Sequence, residues 1–312
     1  MEKREEFYYP SSDGVTKIHA VAWKPEGEVK AVYQMVHGMV EFIERYDEFA
    51  NFLTQHGFYV VGHDHLGHGK SIISQEDWGY FAKENSVDCV IQDIYALMAI
   101  TKEKYPNVPY VIMGHSMGSF FIRRFACQYG DKVDAVIVMG TGNQPKVLQC
   151  AGTALTKVIK LFYGERHRSK LLSKAMFGGF NKRIVNPVTC NDWLSKDAKI
   201  VEAYQNEPAN QFLFTMNGME TLLSVIGYVT KKSNVIQTPK NLPMLFVAGE
   251  ADPVGEYSEA VKRAFAMYQD VGMQDVSIKL FPDDRHEILN ETDRLEVFEY
   301  ILDWVMHKIQ MA

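Results

Sequence analysis

Long apolar runs are missing from this 312-residue chain. No stretch of about 18 hydrophobic residues occurs, so nothing in it is expected to span a membrane. A concentrated basic block is missing too. Lys and Arg number 33 against 39 Asp and Glu, a net charge of −6. Nucleic acid is not an expected partner, because phosphate binding needs a dense positive surface. Cysteine is scarce, and Cys89, Cys127, Cys150 and Cys190 are far apart with no CxxC pair. They are expected to be buried free thiols of a cytoplasmic protein rather than disulfides or zinc ligands. The first residues, MEKREEFYYP, lack the apolar core of a signal peptide. Repeats and low-complexity tracts are absent as well. What remains, 46% hydrophobic and 23% charged, is the composition of an ordinary folded protein with one large α/β domain or two small ones.

Six apolar runs are too short for helices: Ala31 to Val36, Phe58 to Val61, Tyr110 to Met113, Ala135 to Met139, Met244 to Ala248 and Val276 to Phe281. They read as buried strands. Phe7 to Tyr9 and Ile18 to Trp23 flank the polar turn Ser12-Asp13-Gly14 and read as a hairpin. Helical stripes alternate with the runs. Val87, Val90, Ile91, Ile94, Leu97 and Met98 form one, with Asn85 or Ser86 as N-cap, and Leu295, Phe298, Leu302 and Val305 form another. The expected fold class is therefore α/β, a mostly parallel central sheet with helices on both faces. Between Met139 and Met244 the alternation stops, and helical stretches rich in Phe, Tyr and Met replace it. Residues 1–140 and 241–312 are expected to form the core, and 141–240 an inserted helical cap.

Gly114-His115-Ser116-Met117-Gly118 fits G-x-S-x-G. The pattern alone is weak; its context strengthens it. A strand ends at Met113, and a helix from Phe120 to Tyr129 follows, ending at Gly130 as a C′ glycine. Strand, sharp turn and helix make a nucleophile elbow, in which Gly114 and Gly118 let neighbouring backbone approach. Ser116 is the expected nucleophile. It needs a base and an orienting acid, which follow the serine in the order acid, then histidine. After Ser116 only His167, His286 and His307 remain. His167 sits in a basic stretch and His307 near the end of the last helix, whereas His286 follows the last strand in Pro282-Asp283-Asp284-Arg285-His286. For the acid, Asp252 in Gly249-Glu250-Ala251-Asp252-Pro253 is preferred, because Pro253 rigidifies the turn; Glu250 is second. Asp283 and Asp284 read as solvated turn residues. Two backbone N–H groups should hold the oxyanion: Met117, and Met39 in the loop where Gly38 lets the chain turn inward.

A competing pattern is His63-x-His65-x-x-His68 in VVGHDHLGHGKS, one residue short of the metallohydrolase pattern H-x-H-x-D-H because Gly67 replaces its aspartate. The glycines Gly62, Gly67 and Gly69 favour a tight loop instead, with Asp64 and Ser71 bonding its backbone. No metal is expected.

Five motifs in order give the chain a resemblance to α/β-hydrolases of the monoacylglycerol lipase and lysophospholipase type, a group that also includes serine aminopeptidase-like hydrolases. They are VHGMVEFIERY, GHDHLGHGKS, GHSMGS, LPMLFVAGEADPV and DDRHEILNE, spread between Tyr33 and Trp304. Met39 departs from the small residue such relatives often carry, and the cap departs outside Trp193 to Tyr204. The resemblance implies hydrolysis of a carboxylic ester of medium-to-long acyl chain, a monoacylglycerol, lysophospholipid or similar small molecule, without cofactor. Thioesters, short or aromatic esters and N-terminal peptides are the alternatives within the same chemistry. A peptide would need an acidic anchor such as Glu165, Glu202, Glu207 or Glu220. A non-catalytic binding protein on this fold is the alternative of another class. The Phe- and Met-rich cap is a candidate contact with a lipid surface, although no amphipathic basic helix stands out.

Overall fold

The computed structural model describes residues 3–309. Met1, Glu2 and 310–312, which the expected core ranges include, lie outside the described residues. All six apolar runs are strands, and the hairpin precedes them. β1 is Arg4–Pro10, β2 Lys17–Trp23, β3 Ala31–Val36, β4 Phe58–His63, β5 Tyr110–His115, β6 Ala135–Met139, β7 Met244–Gly249 and β8 Val276–Phe281. They form one sheet in the order β1-β2-β4-β3-β5-β6-β7-β8. β1 and β2 are antiparallel to their neighbours, and β3 to β8 are parallel.

The strand period of two explains why the central runs are apolar throughout: each face is covered. On β3, Val32 and Val36 join one core with Ile94, Phe121, Phe125 and Val261, while Tyr33 and Met35 join the other with Phe49, Phe298 and Ile301. The first face is thereby covered by α2 (Ser86–Lys104), α3 (Met117–Tyr129) and α9 (Glu259–Asp270), the second by α1 (Asp47–Gln55) and α10 (Arg294–Ile309). Each buried Val, Leu or Phe contributes about 1.5–3 kcal/mol, so the two cores supply the main stabilising term. Gln34, in the middle of β3, is buried at no cost in unmet hydrogen bonds: it donates to Ile94 O (3.1 Å) and accepts from Tyr110 Oη (2.6 Å).

Between β6 and β7 lie α4 (Lys146–Tyr163), α5 (Lys170–Phe177), α6 (Ala198–Asn206), α7 (Met216–Val229) and the single turn α8 (Lys232–Val235). No strand occurs there. α7 is the inner helix, burying Met216, Met219 and Val225, and α4 packs across it. The outer face of α4 leaves Val147, Val158, Leu161, Phe162 and Tyr163 exposed beside Lys146, Lys157 and Lys160. This is an amphipathic, basic helix, which corrects the expectation that none stands out.

Several local expectations are corrected. Gly130 is not a left-handed C′ residue; its φ is −62° and the chain continues into a short 3-10 turn. Glycine is needed there for space, since a Cβ would stand 2.7 Å from the Pro239 ring. Asn85 precedes α2 in a left-handed conformation without a side-chain cap, and the Ser86 hydroxyl donates to Ala82 O instead. Leu295 is exposed. All four cysteines are free, but only Cys127 is buried, while Cys150 and Cys190 are exposed.

Candidate active site

The parallel strands end at one edge of the sheet, where the loops after β3, β5, β7 and β8 meet. Ser116 follows β5 and precedes α3, with φ 51° and ψ −117°, a strained conformation for a residue with a side chain. Both flanking glycines are obligatory there. A Cβ on Gly114 would lie 2.4 Å from Gly118 O, and one on Gly118 would lie 2.1 Å from Val36 O. Close packing of the elbow against β3 is thus the reason for G-x-S-x-G.

His286 comes from the loop after β8, and Asp252 from the turn after β7. Both are buried, and His286 Nδ1 is 3.0 Å from Asp252 Oδ2. This contact is close but is not an aligned hydrogen bond. Such bonds commonly tighten only when substrate binds. The other carboxylate oxygen accepts from Val254 N (2.8 Å), a bond that holds the turn Pro253 rigidifies. Glu250 is exposed at the end of β7. Asp284 departs from expectation. It is fully buried, not solvated, because Lys196 reaches it with Nζ 2.6 Å from Oδ1; Asp283 alone is an exposed turn residue.

In the loop after β3, a Cβ on Gly38 would stand 3.0 Å from Ser116 Cβ. Only glycine lets this loop come so near the serine. Met39, next in the chain, and Met117, the first residue of α3, both line one cavity with Ser116 and His286. The cavity measures about 1020 Å³ and is largely apolar, and it lies between the sheet edge and the segment joining β6 to β7. Leu148, Leu155, Met176, Phe177, Leu223 and Ile226 form its apolar wall.

A buried polar network lies behind these loops, and sequence reasoning missed its members. Glu41 Oε1 accepts from Gly38 N (2.5 Å), Tyr46 Oη (3.0 Å) and His115 Nδ1 (3.1 Å). Arg45 bonds Glu41 and, through two nitrogens, Glu287 (2.8 and 2.7 Å). Burial opposes charge on His115, but the Glu41 carboxylate outweighs it and raises the imidazole's pKa. Burial likewise opposes the Glu41 anion, yet His115 and Arg45 hold its pKa below the usual carboxylate range. The motif VHGMVEFIERY carried Glu41 and Arg45 in view; the second partner of Arg45, Glu287, lies 242 positions away.

The histidines at the end of β4 and in the loop after it do not join the cavity. His63, His65 and His68 are buried with ring centroids 5.1 and 6.2 Å apart in succession. Their nitrogens do not converge on one point; among the described residues only Asp284, Glu291 and Asp293 form a group of that kind, and Lys196 is paired into it. His65 instead exchanges bonds with the loop after β3. Its backbone N–H donates to His37 Nε2 (2.9 Å), and its Nε2 lies 3.2 Å from His37 O. Asp64 accepts from Lys70 N (2.9 Å) and Ile43 N (2.8 Å), whereas the Ser71 hydroxyl leaves its own loop to accept from His19 N. Gly67 has φ +70°, and a Cβ there would lie 2.1 Å from Tyr80 O. Burial pushes His63 and His68 down to about 3, so these rings are neutral.

Glu165, Glu202, Glu207 and Glu220 do not line the cavity; Glu165 accepts from Tyr80 Oη and Glu220 pairs with Lys160. The carboxylates that do line it, Glu41, Glu256 and Glu287, come from loops of the sheet edge.

Comparison with known proteins gives consistent relatives. The family model described as serine aminopeptidase, S33, matches residues 27–293. A monoglyceride lipase homolog of Monkeypox virus is 26% identical over 301 residues, covering 94% of this chain and 95% of its own. A monoacylglycerol lipase of Mycolicibacterium smegmatis is 25% identical, covering 97% of each. Among solved structures, a thermostable carboxyl esterase from Bacillus coagulans, crystallised with glycerol, superposes with a TM-score of 0.92 at 28% identity, over 99% of this chain and all of its own.

Proposed function

The chain belongs to the serine aminopeptidase S33 family, with the α/β-hydrolase fold, and from that premise we propose that it hydrolyses carboxylic esters through an acyl-enzyme on Ser116. One observation carries the reading: a serine on a strained elbow shares an apolar cavity with a histidine whose Nδ1 is 3.0 Å from a buried aspartate. His286 takes the proton as Ser116 Oγ attacks the ester carbonyl, and Asp252 stabilises the imidazolium that forms. The N–H groups of Met39 and Met117 hold the oxyanion. The alcohol leaves with the proton from His286, and water, activated by the same ring, releases the acid.

The substrate is a small-molecule ester with a medium-to-long acyl chain and a small polar alcohol, of the monoacylglycerol or lysophospholipid type. A cavity of about 1020 Å³ with an apolar wall supports this, as do relatives named for monoacylglycerol hydrolysis. Residues 141–240 act as the cap that supplies the acyl wall. The exposed apolar face of α4, with its lysines, rests on a lipid surface to collect substrate. Peptide substrates are less well supported, because Glu41 and Glu287 are already engaged by Arg45, Glu256 by Arg263, and no carboxylate of the cap reaches the cavity.

A fluorophosphonate probe is expected to label Ser116, and Ser116→Ala to lose both labelling and esterase activity. A folded protein that is not labelled would sink the proposal. Acyl esters from two to eighteen carbons, assayed beside thioesters and aminoacyl amides, test the substrate; preference for the amides would overturn it. Co-sedimentation with anionic vesicles tests the lipid contact, with Phe162→Ser/Leu161→Ser expected to weaken it; no sedimentation of the parent protein would exclude it.

A further inference from the structure

The loop that carries His286 is not held by the sheet alone. Residues 192–197, from the segment between β6 and β7, run alongside it and bond to it at nearly every step. His286 N donates to Trp193 O (3.3 Å) and Glu287 N to Leu194 O (2.8 Å). Arg285 Nη1 donates to Asp192 O (2.6 Å) and Ser195 O (2.9 Å). The Ser195 hydroxyl donates to Asn290 O (2.9 Å), and Lys196 N donates to the Glu291 carboxylate (3.0 Å). Lys196 Nζ closes the strip on Asp284 at 2.6 Å, with Glu291 and Asp293 at 4.0 and 3.6 Å. Asp284 and Glu291 are both fully buried, so the ammonium offsets part of a carboxylate charge that water cannot reach. Over this frame the Trp193 indole lies against the His286 ring, centroids 5.0 Å apart, and is itself braced by Phe180 at 4.8 Å. Asn181 Oδ1 accepts from Trp193 N (2.9 Å) and completes the support.

Resting on the assignment of His286 as base, we propose that Trp193 and Lys196 are positioning residues for it: the indole forms one wall of the imidazole's seat, and the lysine pins the strip to the core. The geometry has a second consequence. Were the whole segment to swing away as a lid, the base would lose its backing, so the 192–197 strip stays with the core and any opening is confined to residues outside it. Positioning errors of about 1 Å cost on the order of 10²-fold in rate, and the strip is worth that much to the reaction.

The test uses hydrolysis of p-nitrophenyl acetate, too short to sense the acyl wall, by the full chain. Trp193→Ala is expected to lower kcat about 10- to 100-fold, with KM changed less than about 3-fold, and to slow fluorophosphonate labelling in parallel. Trp193→Phe, which keeps a ring against the imidazole, is expected to restore most of both rates. Lys196→Met leaves buried carboxylates unpaired and can fail to fold. The pair Lys196→Met/Asp284→Asn therefore serves beside it, and is expected to fold with kcat still reduced about 10-fold. Folded Trp193→Ala and double variants with parental kcat and labelling rate would overturn the inference. Equal loss in Trp193→Phe and Trp193→Ala would also overturn the seat role. If the parent protein itself is neither labelled nor active, the proposed function has failed instead.

Discussion

Two loops of this molecule carry buried histidines at the same edge of the same sheet, and they have opposite fates. The end of β4 and the loop after it hold His63, His65 and His68, and the loop after β8 holds only His286. Number favours the first loop, yet its rings are packed between protein groups and forced neutral by burial. The second offers one ring, open to a cavity, with a carboxylate behind it and an indole beside it. A histidine becomes useful for proton transfer through access and partners, not through company. The crowded loop serves by holding the chain after β3, through His65 and Asp64, in the loop that carries the proposed backbone donor Met39.

The contrast can be broken most sharply by exchange of roles under substitution. His286→Ala is expected to lower esterase kcat/KM by about 10⁴-fold or more, while His65→Asn costs less than about 10-fold. Comparable losses in both would erase the distinction. Next in size is a backbone effect in the crowded loop. Gly67→Ala must place a Cβ against Tyr80 O in a left-handed conformation, so it is expected to lose at least about 3 kcal/mol in urea unfolding. A variant as stable as the parent would mean that the loop is not the tight support described.

Acid should expose the neutral rings. His63 and His68 titrate at about 3 when folded but near 6.5 in an unfolded chain. Between those values the unfolded chain binds more protons, so stability falls as pH drops below 6.5. Each ring contributes a slope of up to about 1.4 kcal/mol per pH unit and nothing above that range. His19 and His115 oppose this from the other side, since their carboxylate partners raise them and their stabilisation is lost only as pH rises. Urea midpoints measured from pH 7 to 4 should therefore decline, and His68→Phe should flatten the decline; an unchanged slope would refute the neutral state. The smallest effect concerns His63, whose ring nitrogens meet no protein partner. His63→Leu is expected to shift stability by no more than about 1 kcal/mol and to leave esterase activity within about 3-fold. A larger loss of activity would return this histidine to the active site.

Much of this arrangement was legible in the residues. The six apolar runs are the six parallel strands, since burial on both faces demands continuous hydrophobicity whatever the partners are. The elbow glycines were legible because backbone crowding around Ser116 admits nothing larger. Asp284 was not. Two adjacent aspartates after a proline look alike in sequence, and only Lys196, 88 positions earlier, makes one of them a buried clamp. The bond from Arg45 to Glu287 and the seat of Trp193 escaped for the same reason. The Lys196 and Trp193 contacts are set by how the segment between β6 and β7 returns to the sheet, and Arg45–Glu287 by how the loops after β3 and β8 meet; no local pattern records either.

That segment also sets the order of events when the chain is made. β6 pairs with β7 from Val136↔Met244 to Met139↔Val247, and nothing nearer in the chain can occupy that edge. A ribosome adding roughly 5–20 residues per second leaves the edge of Ala135–Met139 unpaired for about 5–20 s before β7 is available. During that interval the apolar strand Ala-Val-Ile-Val-Met is an open template for another nascent chain. The long excursion that roofs the cavity thus leaves an aggregation-prone edge open during synthesis, and slower translation through residues 140–243 should lower soluble yield.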